Sequence, residues 1–140
     1  MHISTKTGYA VRALAELAAH GQDSPISVAQ ICERQTLPPK YIEQLFRKLK
    51  KKGIITSVHG AHGGYKLERP NKDISLKDIM AAVDENFNYT YCDTEKETLE
   101  YCCGDPCGFS IMWGEIKEHL DNYFSSITLD TILEKIEENA

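Results

Sequence analysis

The stretch from Ser27 to Leu67 constrains the fold more than any other: SVAQICERQTLPPKYIEQLFRKLKKKGIITSVHGAHGGYKL. Ser27 is suited to cap a helix. Val28, Ile31 and Cys32 then share one face of VAQICERQ, which reads Cys32 as a core residue packing like a small hydrophobe. The break TLPP follows, and Pro39 suits the first turn of a second helix. In that helix Ile42, Leu45, Phe46 and Leu49 point one way. Lys40, Gln44, Arg47, Lys48 and Lys51 lie mostly on the other side, and Gly53 ends it. The run IITSV reads as a strand, HGAHGG as a glycine-rich turn and YKL as the returning strand.

Two helices joined by a short turn, the second studded with base, form the pattern of a helix-turn-helix. A β-hairpin directly after it gives the order of a winged helix. The expected fold is therefore mainly α with a small β-hairpin wing. The glycine-rich tip has little side-chain bulk, so its backbone can approach a phosphate closely, with His59, His62 and Lys66 riding on the hairpin. The histidine pair is a poor metal site because no cysteine or carboxylate stands nearby in sequence.

Upstream, Ala10, Ala13, Leu14, Leu17 and Ala18 fall at helical spacing. Ser4 or Thr5 is placed to cap that helix, and Gly21 to end it. Downstream, ERPNKD reads as a turn. Ser75 and Asp78 open SLKDIMAAVDE as a capping box, with Leu76, Ile79, Met80 and Val83 as its buried stripe. From Asn86 to Gly108 periodicity is lost, apart from a candidate helical turn around 96–99. Helical spacing returns from Phe109 to Phe124, with Met112, Trp113, Ile116, Leu120, Tyr123 and Phe124 on a broad apolar face. That is more bulk than a small domain buries alone, so a second copy is the economical partner. ITLDTILEKIEEN closes the chain as a short helix. The expected organisation is a DNA-binding domain over 1–85, a cysteine loop over 86–108, and a dimerisation helix with a C-terminal helix over 109–140.

Charge supports the same division. The net charge of −5 argues against a polyanion partner until its distribution is examined. Residues 1–77 carry 13 Lys and Arg against 6 Asp and Glu, a net +7; residues 78–140 carry 3 against 15, a net −12. A basic half can face nucleic acid while the acidic half does something else. No apolar run approaches the ~20 residues that span a bilayer, and the N-terminus is amphipathic rather than signal-like, so the expected compartment is the cytoplasm. No nucleophile–base pair, phosphate-cradling loop or carboxylate dyad appears, which speaks against an enzyme.

Together, ISTKTGYAVRAL, KYIEQLFRKLKKKGIITSVHGAHGGYKL, AAVDE leading to Cys92, and TLDTILEKI resemble the IscR/NsrR/CymR-type (Rrf-two) winged-helix repressors of bacteria, over essentially the whole chain. The resemblance implies a homodimer on a pseudo-palindromic operator in double-stranded DNA, with crossed C-terminal helices. Each recognition helix would enter a major groove and each wing the adjacent minor groove. Glu43 and Gln44 become base readers, with Lys40 and Tyr41 beside them. Gln can bond adenine at two points, and Glu can accept from cytosine. Arg47, Lys48 and Lys51 become phosphate contacts. His59, Gly60, His62, Gly63, Gly64 and Lys66 form the wing's contact. The family often has Arg where His59 stands, and histidine is a weaker, pH-dependent probe.

The resemblance also gives the cysteines a purpose. Cluster-binding relatives carry three in this loop, and Cys92 and Cys107 stand at the family's distances from their flanking motifs. Cys102 or Cys103 takes the middle role. Relatives complete the site with a histidine one turn after the last cysteine or an acidic residue near the N-terminus. Ser110 and Gly8 stand there instead. Either both Cys102 and Cys103 ligate, or an external thiol, water or partner group completes the site. Thiolates suit an iron–sulphur cluster, 2Fe–2S or 4Fe–4S, and zinc alike. The spacing lacks the paired knuckles of structural zinc. A bare thiol redox switch and simple packing are the other readings. Asp93, Glu95, Glu97, Glu100 and Asp105 disfavour a reactive bare thiolate, and structural disulfides are rare in the cytoplasm.

Overall fold

The computed structural model describes residues 3–21, 23–85 and 108–140. The expected helical turn around 96–99 and the four cysteines Cys92, Cys102, Cys103 and Cys107 lie outside the described residues. Among the described residues six α-helices flank one hairpin: α1 (Thr5–His20), α2 (Val28–Gln35), α3 (Pro39–Lys51), β1 (Ile55–Val58), β2 (Gly64–Leu67), α4 (Leu76–Ala82), α5 (Gly108–Ser126) and α6 (Leu129–Glu138). This is the winged helix-turn-helix arrangement with C-terminal helices that the sequence pattern predicts.

The core gathers the apolar stripes of the first four helices. Leu14 and Leu17 of α1, Ile31 of α2, Ile42, Phe46 and Leu49 of α3, and Ile79 of α4 are essentially inaccessible to solvent. Cys32 is buried among them. Helix ends follow local chemistry. Ser27 and Gln30 form a reciprocal capping box on α2, and Ser75 and Asp78 form one on α4. At the end of α3, Gly53 takes φ 73, its N–H donates to Lys50 O at 3.0 Å, and Ile54 N–H donates to Leu49 O at 3.0 Å. This is a Schellman motif, and it turns the chain straight into β1.

The start of α1 departs from the local expectation. Ser4 is the N-cap residue but makes no side-chain cap; its hydroxyl donates to Glu85 instead. A half-buried acceptor brought in by the fold outcompetes the adjacent backbone amide.

The hairpin is antiparallel, with Ile55 opposite Leu67 and Val58 opposite Gly64. A third backbone joins it. Ile26, just ahead of the Ser27 cap, exchanges two hydrogen bonds with Tyr65, at 3.0 and 2.8 Å. The wing is thereby sewn to the segment that precedes α2.

The last two helices differ in what they touch. Helix α6 docks on the head: Leu129 is fully buried, its N–H donates to Ile74 O at 2.9 Å, and Leu76 N–H donates to Ile127 O at 2.7 Å. Helix α5 meets α4, yet several of its apolar side chains stay open to solvent. Ile111 is 56% exposed, Met112 44% and Tyr123 63%, while Phe124 alone on this helix is buried among its described side chains. No helix among the described residues is long and apolar enough to cross a membrane.

Candidate nucleic-acid interface

Helix α3 separates its two faces cleanly. Ile42, Leu45, Phe46 and Leu49 are buried, whereas Lys40, Glu43, Gln44, Arg47, Lys48 and Lys51 are exposed. These six fall at spacings of three and four, so they form one continuous stripe along the helix. Tyr41 stands apart from that stripe. It is half-buried, its ring edge-on to Tyr9 at 5.8 Å, so it braces α3 against α1.

The turn before α3 is set by the end of α2. Thr36 takes φ 53, its N–H donates to Cys32 O, and the N–H of the buried Leu37 donates to the same carbonyl at 3.0 Å. Burial, and after it the negative charge of Glu43, push the Cys32 thiol up, so it stays protonated beneath the turn. Helix α2 is tied to α1 through Glu16. Its buried carboxylate accepts from Arg34 at 3.1 Å and Gln35 at 2.8 Å, with His20 at 3.7 Å. Burial raises that carboxyl, but the bonds from Gln35 and Arg34 and the nearby positive charges hold it below its ordinary value.

The wing is rigidly attached to α3. Tyr65 packs edge-on against Phe46 at 5.1 Å, and Lys50 Nζ donates to Ser57 Oγ at 2.8 Å. At the tip His59, Gly60 and His62 are exposed, and Gly60 takes φ 123. Among the described residues no group of three or more His, Cys, Asp or Glu side chains gathers there or elsewhere. Lys66 projects from β2 into solvent. Gly63 and Gly64 are half-buried and answer to protein backbone. A Cβ on Gly63 would lie 2.3 Å from Val58 O, and one on Gly64 2.5 Å from Ile26 C and O.

Sequence reasoning missed one cluster altogether. Lys48 pairs with Asp84 at 2.8 Å, and Lys6 Nζ donates to Asp84 O at 2.9 Å. Glu85 accepts from Ser4 N–H at 3.1 Å, from the Ser4 hydroxyl and from Thr7 Oγ1 at 2.6 Å. The hydrogen bond and charge of Lys48 lower the Asp84 carboxyl; burial raises that of Glu85, but its hydroxyl and amide donors bring it below the ordinary range. Nothing local signals these contacts, because the partners are distant in sequence. Gly8 lies exposed on α1 with nothing within 4 Å of where its Cβ would be.

A basic helix stripe presented by a helix-turn-helix, with a hairpin fixed beside it, defines a winged helix-turn-helix DNA-binding protein. The comparisons agree. The family described as Rrf2: Iron-dependent Transcriptional regulator matches residues 3–135. The HTH-type transcriptional regulator IscR of Pectobacterium carotovorum subsp. carotovorum (strain PC1) is 35% identical over 134 residues, 95% of this chain and 79% of its own. Two solved structures share the fold closely. T. potens IscR has a TM-score of 0.78 at 33% identity, covering 99% of this chain and 90% of that one. CymR (YrzC), the global cysteine regulator of B. subtilis, has a TM-score of 0.79 at 25% identity, covering 96% and 98%. The chain belongs to the Rrf2 family of DNA-binding transcriptional regulators and is not an enzyme.

Proposed function

We propose that this regulator is a cytoplasmic repressor whose operator affinity is set by an iron–sulphur cluster held on the cysteine segment. The observation that carries the DNA half is the exposed stripe of α3 beside the wing. Glu43 and Gln44 read base edges in the major groove, flanked by Lys40, while Tyr41 braces the helix behind them; Arg47, Lys48 and Lys51 hold phosphate. His59, Gly60, His62 and Lys66 give the wing's approach to the minor groove, with Gly63 and Gly64 shaping the turn behind them. The uncovered apolar side of α5 supports a homodimer, which presents two heads to two half-sites of a pseudo-palindromic duplex. On this reading 1–85 is the DNA-binding unit, 86–108 the sensor and 109–140 the dimerisation unit with the C-terminal helix.

The donor set fits the cluster. Cys92, Cys102, Cys103 and Cys107 offer four thiols within a short acidic stretch, and thiolates are the ligands that iron–sulphur clusters take. Cys92 and Cys107 are the outer ligands, with Cys102 or Cys103 between them. When bound, the cluster supplies a redox- and nitric-oxide-reactive centre. The likeness to IscR, and a family described as iron-dependent, support this choice. A second reading has its own observation: Gly8 offers no ligand, and the likeness to CymR is equally close in fold. There the input is a partner protein, a small molecule or thiol oxidation, with no cluster.

Anaerobic reconstitution with iron and sulphide separates the two. The cluster reading expects visible charge-transfer absorption and operator affinity that differs between loaded and empty protein. Both are lost when Cys92 and Cys107 become Ala. Absent bands, with operator binding unchanged in the Cys92→Ala/Cys107→Ala protein, sink the cluster reading and leave the second.

A further inference from the structure

The end of α4 reaches into the surface that the DNA-facing reading assigns to phosphate. Asp84 takes φ 57, which swings its carboxylate away from the helix axis and onto Lys48 Nζ at 2.8 Å. Lys48 lies in the middle of the exposed stripe, one turn from Gln44 and next to Arg47. Lys6 and Lys52 add their positive charge at the same carboxylate. Both members of the pair are open to solvent: Lys48 is 46% and Asp84 63% exposed in their side chains. A phosphate that approaches Lys48 therefore meets an acid already in possession of it. Glu85 holds the position of that acid, because its three bonds to Ser4 and Thr7 fix the backbone beside Asp84 to the start of α1.

We infer that Asp84 is an electrostatic brake on DNA binding: it occupies Lys48 and is displaced by a backbone phosphate when the head docks. The inference rests on the reading of α3 as the DNA-facing helix. Binding breaks the Lys48–Asp84 pair and forms a Lys48–phosphate pair, and the freed carboxylate stays near the duplex. The brake acts on affinity and not on base choice, since Lys48 meets phosphate and not base edges. It also lowers the number of counterions released, because Lys48 is partly neutralised before it meets DNA.

The test uses the full chain, an operator selected from random-sequence duplex DNA, and a scrambled duplex, with anisotropy titrations at several salt concentrations. Asp84→Asn keeps a side chain that tolerates the left-handed backbone. It is expected to tighten binding to both duplexes by about threefold per head, on the order of tenfold for a two-headed complex, and to steepen the salt slope. Asp84→Gly, which adopts that backbone freely, must reproduce the gain. In a Lys48→Met background the gain must shrink severalfold. Weaker or unchanged binding by Asp84→Asn, or an equal gain with and without Lys48, overturns the brake. Failure of the underlying reading looks different: Arg47→Ala, Lys48→Met and Lys51→Met would then each leave DNA affinity where it was.

Discussion

Two glycine-to-alanine changes should move stability in opposite directions, and the structure says by how much. At Gly64 the added methyl lands 2.5 Å from Ile26 C and O and 2.8 Å from Ser27 N. All three are backbone atoms, so no side chain can rotate aside, and β2 must draw back from Ile26. That movement stretches the two Ile26–Tyr65 hydrogen bonds of 3.0 and 2.8 Å, each worth about 0.5–1.5 kcal/mol. It also pulls Tyr65 off Phe46, an aromatic pair worth about 0.5–1.5 kcal/mol. Gly64→Ala should therefore cost roughly 2–4 kcal/mol. At Gly8, on the exposed face of α1, the same methyl meets nothing within 4 Å. There Ala restricts the unfolded chain and favours the helix, a gain of about 0.5–1 kcal/mol. Urea unfolding of both variants at one protein concentration, followed by Trp113 fluorescence and far-UV circular dichroism, measures the difference. A Gly64→Ala protein as stable as Gly8→Ala would refute the claim that Ile26 fills the place of the missing side chain.

Three further outcomes follow from the packing and the charges. Phe46→Ala empties the centre of the core beneath the wing and should cost about 3–5 kcal/mol, read as a lower urea midpoint. Tyr123→Asp combined with Met112→Asp puts charge on the uncovered side of α5 and should convert a sedimenting dimer into a folded monomer; an unchanged sedimentation coefficient would contradict the proposed interface. Glu16 and Glu85 are held below their ordinary carboxyl values when folded. Their stabilisation is therefore complete above the unfolded carboxylate pKa and is lost as pH falls through the lower folded values. Glu16→Gln with Glu85→Gln should flatten the acid limb of stability against pH, whereas an unaltered limb would show that these carboxylates do not carry it.

How much of this was legible depended on how far apart in the chain the causes lay. The α3 stripe, the Ser75–Asp78 box and the Gly53 stop are effects of neighbours, so spacing and residue type reveal them. The resemblance of KYIEQLFRKLKKKGIITSVHGAHGGYKL to a family then supplied a function for the stripe. Long-range effects left no local trace. Ser4 reads as an ordinary cap, yet its hydroxyl turns to Glu85. Gly64 reads as part of a bare wing tip open to phosphate, yet its missing side chain makes room for Ile26. The last helix reads only as a short closing helix, yet Leu129 completes the head's core. Lys48 reads as a phosphate contact, and its partner Asp84 emerged only from the turn that ends α4.

The most direct measurement of the account is a comparison of base choice across the two classes of α3 side chain. With an operator selected from random duplex DNA, wild-type protein should prefer it over scrambled DNA and lose affinity steeply with salt. Gln44→Ala and Glu43→Ala should each relax the choice of base at defined positions of both half-sites, at a cost of about 1–3 kcal/mol. Arg47→Ala and Lys51→Met should weaken every sequence alike and flatten the salt slope. Unchanged base preference in the Gln44 and Glu43 variants, with equal wild-type affinity for operator and scrambled DNA, would contradict α3 as the helix that reads the operator.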